Sequence, residues 1–302
     1  MDLGVVILPE DRWPRAVKMW QRAEELGFDH AWTYDHMSWR NLRDLPWFAM
    51  VPILAAAATA TSSIRLGPLV ASPNFRHPAT FAKDLMTLDD ISGGRIIAGM
   101  GAGGTGYDAT VLGGPAPTPA QRTERFGEFV EAIDLFLREP AASYDGNVFQ
   151  ADEVRTYPGC VQQPRLPLAI AATGPRGMAS VARFADYWVT TGDLTAAPRL
   201  APAEGLASIR KQIDLLDDTC VKHGRDPSSI RRLVLTGALL DPALESVDSF
   251  IDGVETYAAV GFTDYVVHWP RADEPYQGDV DMFEQIISVA RASFPRLGQE
   301  SS

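Results

Sequence analysis

The sequence predicts a single-domain α/β barrel in which eight strands alternate with eight helices. Short apolar runs rich in β-branched residues recur along the 302 residues, and each is followed by a stretch with helical periodicity. Most runs lack the apolar–polar alternation of a one-sided sheet, which is typical of strands covered on both faces. Eight strand–helix repeats close a parallel barrel, and barrels of this length are commonly one domain. The expected fold class is therefore a (β/α)8, or TIM, barrel over residues 1–302.

The predicted strands are short, and each ends where a loop or a helix begins. They span residues 3–8, 29–34, 64–70, 95–101, 168–172, 187–191, 232–238 and 264–268. The predicted helices span residues 17–26, 48–60, 78–92, 125–137, 203–221, 247–260 and 280–292, with one more after the fifth strand whose apolar face includes Val181, Phe184 and Ala185. Pro78 suits a first helical position, and Gly27 and Gly93 lie where left-handed helix stops are favoured.

Two long connections interrupt the repeat. Residues 139–167 hold several prolines and glycines and short extended pieces, so we expect an insertion between the fourth helix and the fifth strand. This insertion either covers the mouth of the barrel or serves only as packing. The glycine-rich residues 102–118 form the other long loop, and loops of this length in compact domains are usually functional or mobile.

The composition excludes some classes of function. Acidic residues number 39 against 27 Lys and Arg, a formal charge of −12, which argues against a nucleic-acid partner because phosphate contacts need basic patches. No apolar run reaches the roughly 18 residues of a membrane span, and the chain opens in a strand rather than a targeting segment. Cys160 and Cys220 are far apart and lack a metal-type spacing. We therefore expect reduced, structural cysteines, no metal site and a cytoplasmic protein.

The second predicted strand ends in Tyr34-Asp35-His36. Catalytic residues of such barrels lie at the carboxyl ends of the strands. A histidine there can exchange a proton near neutral pH, and a carboxylate beside it can tune or orient it. The alternative is that Asp35 and His36 only stitch the loop. Trp39 and Trp47 follow, and they either wall an aromatic ligand or pack as core or lid.

Other candidate residues are expected to have structural roles. Pro68 lacks a ladder donor, so we expect an irregularity in the third strand. Arg76, in the loop after that strand, either meets an anion or, as we favour, is solvated or paired. His30, His223 and His268 have no comparable setting, and we expect each to be structural or exposed.

The glycine-rich run after the fourth strand, residues 99–106, has only a superficial likeness to a dinucleotide fingerprint. No helix opens directly after it, and no ribose-binding carboxylate follows in a βαβ unit. We interpret it as a loop whose backbone comes close to a flat ligand. Tyr107 and Asp108 lie just beyond it, within reach of that ligand.

The turn after the fifth strand, Thr173-Gly174-Pro175-Arg176-Gly177, favours an anion. It joins a strand to a helix, where free backbone N–H groups and a guanidinium can bind a phosphate. The alternative is a tight turn that needs glycine for its conformation alone. Because the turn lies at the mouth of the barrel, we expect Gly174, Arg176 and Gly177 to hold a cofactor phosphate.

Taken in order, these signals resemble the bacterial luciferase-like superfamily of flavin- and deazaflavin-dependent oxidoreductases. The resemblance runs from the first strand to about residue 192 and is carried by Tyr34-Asp35-His36, Arg65-Leu66-Gly67, Ser72-Pro73, Arg76-His77-Pro78, Thr87-Leu88-Asp89, residues 91–95, 99–103 and 121–126, Gly174-Pro175-Arg176 and Ala185-Asp186. The Asp-His loop together with the Arg-His-Pro segment is most similar to the branch that uses coenzyme F420.

The resemblance implies a barrel that is usually dimeric, with the cofactor ring at the carboxyl ends of the strands. It also implies a non-prolyl cis peptide in the third strand, between Leu69 and Val70. The cofactor-binding residues expected from the sequence and the resemblance are Leu69, Val70, Ala71, Gly101, Ala102, Gly103, Gly174, Pro175, Arg176 and Gly177. The expected catalytic residues are His36 and Asp35, and the expected substrate pocket contains Trp39, Trp47 and Tyr107.

Three functions follow from this resemblance. The first is an F420-dependent oxidoreductase that moves a hydride between the deazaflavin C5 and a small organic substrate, with His36 as proton donor or acceptor. The second is a two-component monooxygenase that uses reduced FMN, supplied by a separate flavin reductase, together with O₂. The third is a cofactor-binding barrel without catalysis, against which the intact Asp35-His36 pair argues.

Overall fold

Eight parallel strands form the centre of the structure, a computed structural model that describes residues 1–192 and 200–294. These two ranges contain ten strands in all, namely β1 (Asp2–Val6), β2 (His30–Thr33), β3 (Arg65–Pro68), β4 (Ala98–Met100), β5 (Ala141–Asp145), β6 (Gln150–Arg155), β7 (Leu168–Ala171), β8 (Tyr187–Thr190), β9 (Arg231–Leu235) and β10 (Asp264–His268). The barrel order is β3-β2-β1-β10-β9-β8-β7-β4, and β5 and β6 form a separate pair. The TIM-barrel class predicted from the sequence is confirmed.

Eight α-helices within the described residues cover the outside of the barrel. They are α1 (Trp13–Glu25), α2 (Met50–Ala60), α3 (Pro78–Ser92), α4 (Pro119–Arg138), α5 (Pro175–Phe184), α6 (Pro202–Lys222), α7 (Val247–Ala258) and α8 (Val280–Ser293). The predicted signals act as expected, since Pro78 begins α3 and Gly93 ends it with a left-handed φ of 65°. None of the helices in these two ranges has the length and apolar character needed to span a bilayer.

The barrel closes between β3 and β4, where two glycines let the backbones approach. A Cβ atom at Gly67 would lie 2.0 Å from the carbonyl oxygen of Ile97, and one at Gly99 would lie 2.0 Å from that of Pro68. The N–H of Ala71 donates to the carbonyl of Gly99 at 2.8 Å across the same seam. Any side chain at either glycine would push the two strands apart, so this pair of glycines permits closure.

The third strand is shorter than the predicted 64–70. β3 ends at Pro68, which has no N–H to donate to a ladder, so the irregularity expected at this proline is confirmed. Just after β3, the peptide bond between Leu69 and Val70 is cis, as the resemblance to the luciferase-like superfamily implies.

The connection between α4 and β7 forms the antiparallel pair β5–β6, outside the barrel. Glu128 on α4 fixes its turn, because its carboxylate accepts hydrogen bonds from the backbone N–H groups of Asn147, Val148 and Phe149. None of the residues 139–167 is among the described residues that line the mouth cavity. In this structure the segment therefore packs on the side of the barrel.

The histidines outside the mouth loops have the structural or exposed settings expected of them. His30 is buried, with its Nε2 3.0 Å from Oδ1 of Asp264, and the indole N–H of Trp32 donates to its Nδ1 at 2.6 Å. His223 is exposed at the end of α6, and His268 is buried at the end of β10.

Candidate active site

A cavity of about 810 Å³ opens at the carboxyl ends of the strands. A volume of this size is typical of sites for cofactors and other small molecules. Its described walls come from the segments after β2, β3, β4, β7 and β8 and from the start of α4, namely His36, Arg40, Val70, Ser72, Asn74, 101–104, Pro119, Arg122, Thr123, Phe126, 171–177 and 189–191. The mouth of the barrel is thus the place where the structure collects most of the sequence-predicted residues.

The cavity is positively charged although the chain carries a formal charge of −12. Arg40, Arg122 and Arg176 line it, and none of the lining residues in the described part of the chain is Asp or Glu. Local charge of one sign in a cleft focuses the field on a ligand of the opposite sign. The cavity therefore suits an anionic ligand.

His36 is held by a carboxylate from another loop. Nδ1 of His36 lies 2.5 Å from Oδ2 of Asp108, and Oδ1 of Asp108 accepts hydrogen bonds from the N–H groups of Met37 (2.9 Å) and Ser38 (3.3 Å). Asp108 is 5% exposed, whereas His36 is half-buried at the edge of the cavity. Since the carboxylate occupies Nδ1, Nε2 is the ring nitrogen left for a substrate proton.

The expectation that Asp35 orients the ring of His36 is wrong. The Asp35 carboxylate is 3% exposed and takes two hydrogen bonds from Arg76, from Nε at 2.5 Å and from Nη2 at 2.7 Å. Consecutive side chains of an extended segment point to opposite sides, so Asp35 and His36 leave β2 in opposite directions. The favoured expectation for Arg76, a paired arginine, is confirmed.

Asp108 is the acidic partner that sequence reasoning assigned elsewhere. It was expected to reach toward a flat ligand, but it lies in a single turn of 3-10 helix, Tyr107–Ala109, and contacts the loop after β2. Its position in the loop after the fourth strand is the one signal that pointed to it, because the loops after all the parallel strands of a barrel meet at one mouth.

An aromatic wall stands beside His36. The rings of Trp39 and Trp47 stack with their centres 6.0 Å apart, and the centre of Trp47 lies 6.4 Å from that of His36. Trp39 also stacks on Tyr276 at 6.1 Å and meets Tyr34 edge-on at 5.1 Å. Trp39 and Trp47, two of the predicted pocket residues, are therefore brought together next to His36, although neither is among the described residues that line the cavity.

A buried polar group lies beneath that wall. Burial raises the pKa of Tyr34 well above its ordinary value and lowers the pKa of His268 to about 3. The Tyr34 hydroxyl and Nε2 of His268 are hydrogen-bonded over 2.7 Å, and the hydroxyl of Tyr276 lies 3.1 Å from that of Tyr34. The wall is thus fixed from below by groups that stay uncharged at neutral pH.

The expected phosphate turn has the geometry of an anion site. Gly174 is the N-cap of α5 and makes no side-chain cap, so the N–H groups of the first turn are left for another acceptor. Arg176 is exposed in the same turn, and it forms no ion pair with the residues of 1–192 and 200–294. Gly174, Pro175, Arg176 and Gly177 all line the cavity.

Arg122 adds a second cation that sequence reasoning did not assign to the site. It lies in the first turn of α4, and its Nη1 donates to the carbonyl of Gly103 at 3.0 Å. Its Nε is buried and has no hydrogen-bond partner among the described residues. Buried donors are nearly always paired in folded proteins, so this N–H fits an anion bound in the cavity. These residues therefore fit a cofactor that carries a phosphate.

Some of the remaining predicted residues line the cavity and others do not. Val70 and residues 101–103 line the cavity, whereas Leu69 and Ala71 are buried and lie outside the described lining. Tyr107 lies at the outer rim, where its exposed ring stacks under the guanidinium of Arg43 at 4.0 Å.

Fold and site together define a TIM-barrel protein with an arginine-lined mouth and a histidine–aspartate pair. The chain belongs to the luciferase-like monooxygenase family, whose model matches residues 1–276. That match covers the whole mouth of the barrel as well as most of its helices.

Relatives of this chain include proteins that act with F420. The chain is 32% identical over 247 residues to the F420-dependent glucose-6-phosphate dehydrogenase of Intrasporangium calvum, with 78% of this chain and 73% of that protein covered. It is 30% identical over 196 residues to the 5,10-methylenetetrahydromethanopterin reductase of Methanopyrus kandleri, covering 62% of this chain and 54%, about half, of that relative.

A solved structure supports the fold. It is an F420-dependent secondary alcohol dehydrogenase in complex with an F420-acetone adduct, with a TM-score of 0.80. The superposition covers 98% of this chain and 99% of that chain at 17% identity. At this identity the likeness shows a shared fold and leaves the substrate of this chain open.

Proposed function

We propose that this chain is an F420-dependent oxidoreductase that transfers a hydride between the deazaflavin ring and a small organic substrate. The observation that carries the proposal is the juxtaposition, at one cavity, of an anion-binding wall with Arg122 and Arg176 and a rim with His36 held by Asp108. The F420-dependent dehydrogenase of Intrasporangium calvum supports the choice of cofactor, because it is related to this chain over most of its length.

The cofactor phosphate binds at the start of α5. Free N–H groups of a helix N-terminus and an arginine fork are the usual partners of a phosphate oxygen. Arg176 supplies the fork, and Arg122 supplies a second donor from α4 through its unpartnered Nε. Residues 101–103 and Val70 line the floor between them and His36, where a flat ring can lie against backbone.

His36 handles the proton that accompanies hydride transfer. When bound, F420 accepts or donates a hydride at C5 of its ring. Nε2 of His36 takes the hydroxyl proton of an alcohol during oxidation, or returns a proton to the carbonyl oxygen during reduction. Asp108 fixes the orientation and tautomer of the ring by accepting a hydrogen bond from the Nδ1–H of His36, as carboxylates do in other histidine pairs.

Trp47 binds the same substrate oxygen from the side. Its indole N–H is buried and unpartnered among the described residues, and its ring is next to that of His36. A substrate oxygen between the two would give this donor an acceptor, which a buried N–H requires. The Trp39–Trp47 stack at the same time covers the reacting atoms and excludes water.

Binding of the cofactor with and without its phosphate tests the phosphate site. Arg176→Gln and Arg122→Gln should each weaken F420 about tenfold or more, since each removes a hydrogen bond to a charged group. The phosphate-free deazaflavin should bind both variants as it binds the wild type. Arg183→Gln is the matched control, because Arg183 is on the same helix α5 but is paired with Glu131. Equal losses for both ligands would contradict this site.

A homodimer and a cytoplasmic location remain part of the proposal. The dimer follows from the family resemblance, and the partly exposed α2 is one surface on which a second copy could pack. Light scattering on the purified protein gives the mass directly, and a monomer at micromolar concentration would contradict the dimer.

A further inference from the structure

Arg40 carries a charge at the cavity that the proposed function leaves unused. It begins a single turn of 3-10 helix, Arg40–Leu42, shortly after His36, and it lines the cavity. No carboxylate of the described residues forms an ion pair with it, although its neighbour Arg43 is paired with Asp44 at 3.5 Å. Arg40 is exposed to solvent, so its guanidinium, in a cavity without described acidic lining residues, is available to an anion from outside the protein.

The Arg40 guanidinium lies against the aromatic wall. It is 5.2 Å from the centre of the Trp39 ring, a distance at which a cation and an aromatic face attract each other. Burial raises the pKa of Tyr34, and the charge of Arg40 acts on that hydroxyl in the opposite direction. Tyr34 lies edge-on to both Trp39 and His36, so Arg40 acts on a side chain that packs against the ring of His36.

The backbone conformation of Arg40 indicates that an arginine stands at this position because its side chain is needed there. Its φ is 44°, in the left-handed region that few non-glycine residues adopt. A glycine would accept this conformation without strain. Left-handed non-glycine residues cluster at functional sites, where the surrounding structure holds a needed side chain in place.

The position of Arg40 separates it from the phosphate turn. Arg40 follows β2 and Arg176 follows β7, and the strands β3 and β4 lie between them in the barrel. Three inter-strand steps of about 4.8 Å place the two strand ends about 14 Å apart along the wall. Arg40 thus belongs to the loop after β2 that also carries His36, whereas Arg176 belongs to the segment after β7.

We propose that Arg40 binds a carboxylate or phosphate group of the substrate, so that the substrate is an anionic alcohol or carbonyl compound. The proposal rests on the proposed function, because it places the substrate between His36 and the aromatic wall. Arginine suits this task because its planar fork holds both oxygens of such a group. Trp39 limits the movement of that fork and so fixes where the anionic group must lie relative to His36.

Calorimetric titration with two simple anions tests the proposal. Inorganic phosphate and benzoate are titrated into the F420-loaded protein and into the free protein, with chloride at matched ionic strength as the blank. Arg40→Gln should weaken binding of at least one probe to the loaded protein about tenfold or more. Arg43→Gln is the matched control, since Arg43 is on the same loop but is outside the described lining, and it should bind both probes as the wild type does.

The outcomes are distinct. Equal binding by wild type and Arg40→Gln, or no binding of either probe by the wild type, overturns the proposal. Arg40-dependent binding that competes with F420 also overturns it, because Arg40 would then belong to the cofactor site. Loss of F420 binding in the Arg40→Gln variant also overturns the proposal, because it would place Arg40 in the cofactor site. Failure of the wild type to bind F420 contradicts the proposed function, and the free-protein titrations then decide on Arg40 separately.

Discussion

The variant Asp108→Asn tests which carboxylate orients His36. The sequence pointed to Asp35, whereas the structure pairs His36 with Asp108. The amide oxygen of an asparagine can still accept the N–H groups of Met37 and Ser38, so the loop keeps its shape. The amide nitrogen replaces Oδ2, however, and presents a donor to Nδ1 of His36. The ring must then carry its proton on Nε2, and a neutral ring in that tautomer can no longer accept a substrate proton there.

The magnitude follows from the contact that is lost. A hydrogen bond to a charged group contributes about 1.5–3 kcal/mol, which corresponds to about 10- to 150-fold in rate. The wrong tautomer adds to this, and loss of general acid–base catalysis typically costs about 10²–10⁴-fold. We therefore expect kcat of Asp108→Asn to fall about 10²-fold or more, with the F420 dissociation constant unchanged. His36→Ala should show a loss of the same order.

Asp35→Asn is the matched control because it changes the neighbouring carboxylate in the same way. Its effect should fall on stability, since breaking a buried ion pair costs about 3–5 kcal/mol and Arg76 would lose its partner. The assay follows F420 absorbance with substrates taken from a panel of alcohols and carbonyl compounds, alongside thermal unfolding. Full activity in Asp108→Asn, or a loss of kcat in Asp35→Asn at unchanged stability, would refute the assignment.

Three further predictions concern closure, pH and the substrate oxygen. Gly99→Ala should destabilise the fold by about 3 kcal/mol or more in calorimetry, because its Cβ would meet the carbonyl oxygen of Pro68. Gly127→Ala is the control and should be neutral or stabilising, because a Cβ there meets no atom within 4 Å. Equal effects of the two variants would contradict the role of Gly99 in barrel closure. Because His268 stays neutral when folded, the unfolded chain alone binds a proton between pH 6.5 and about 3. The free energy of unfolding should therefore fall as the pH is lowered through this range, by up to about 1.4 kcal/mol per pH unit. His268→Gln should remove this contribution when the free energy of unfolding is measured between pH 7 and pH 5. Trp47→Phe should keep the stack but lower kcat/KM about two- to tenfold, and an unchanged value would remove its N–H from substrate binding.

The barrel was predictable because its signals are local. Strands covered on both faces and helices with their own stops identify themselves by composition, as Pro78 and Gly93 do at the two ends of α3. The turn after β7 and its place at the cavity were predictable for the same reason, since strand, glycine and arginine are contiguous in the sequence. The boundaries of β3 were less accurate, because Pro68 ends a run that is apolar to residue 70.

The partners of His36 were not predictable because they depend on how distant loops meet. Asp108 is 72 positions from His36 along the chain, and only the meeting of the loops after β2 and β4 at the mouth of the barrel, across the intervening β3, brings it there. Nearness in sequence pointed to Asp35, but the alternation of an extended chain sends that side chain to Arg76. Arg122 was overlooked because a helix residue gives no sign in sequence that its guanidinium turns toward a glycine-rich loop.

The most direct test of the account is a pair of binding titrations on the purified cofactor-free protein, one with F420 and one with FMN, followed by tryptophan fluorescence. We expect F420 to bind with micromolar or tighter affinity and FMN to bind at least tenfold more weakly, and we expect the double variant Arg176→Gln/Arg122→Gln to lose most of its affinity for F420. A clear preference for FMN would contradict the account. That result would place the chain among the two-component monooxygenases that receive reduced FMN from a separate reductase.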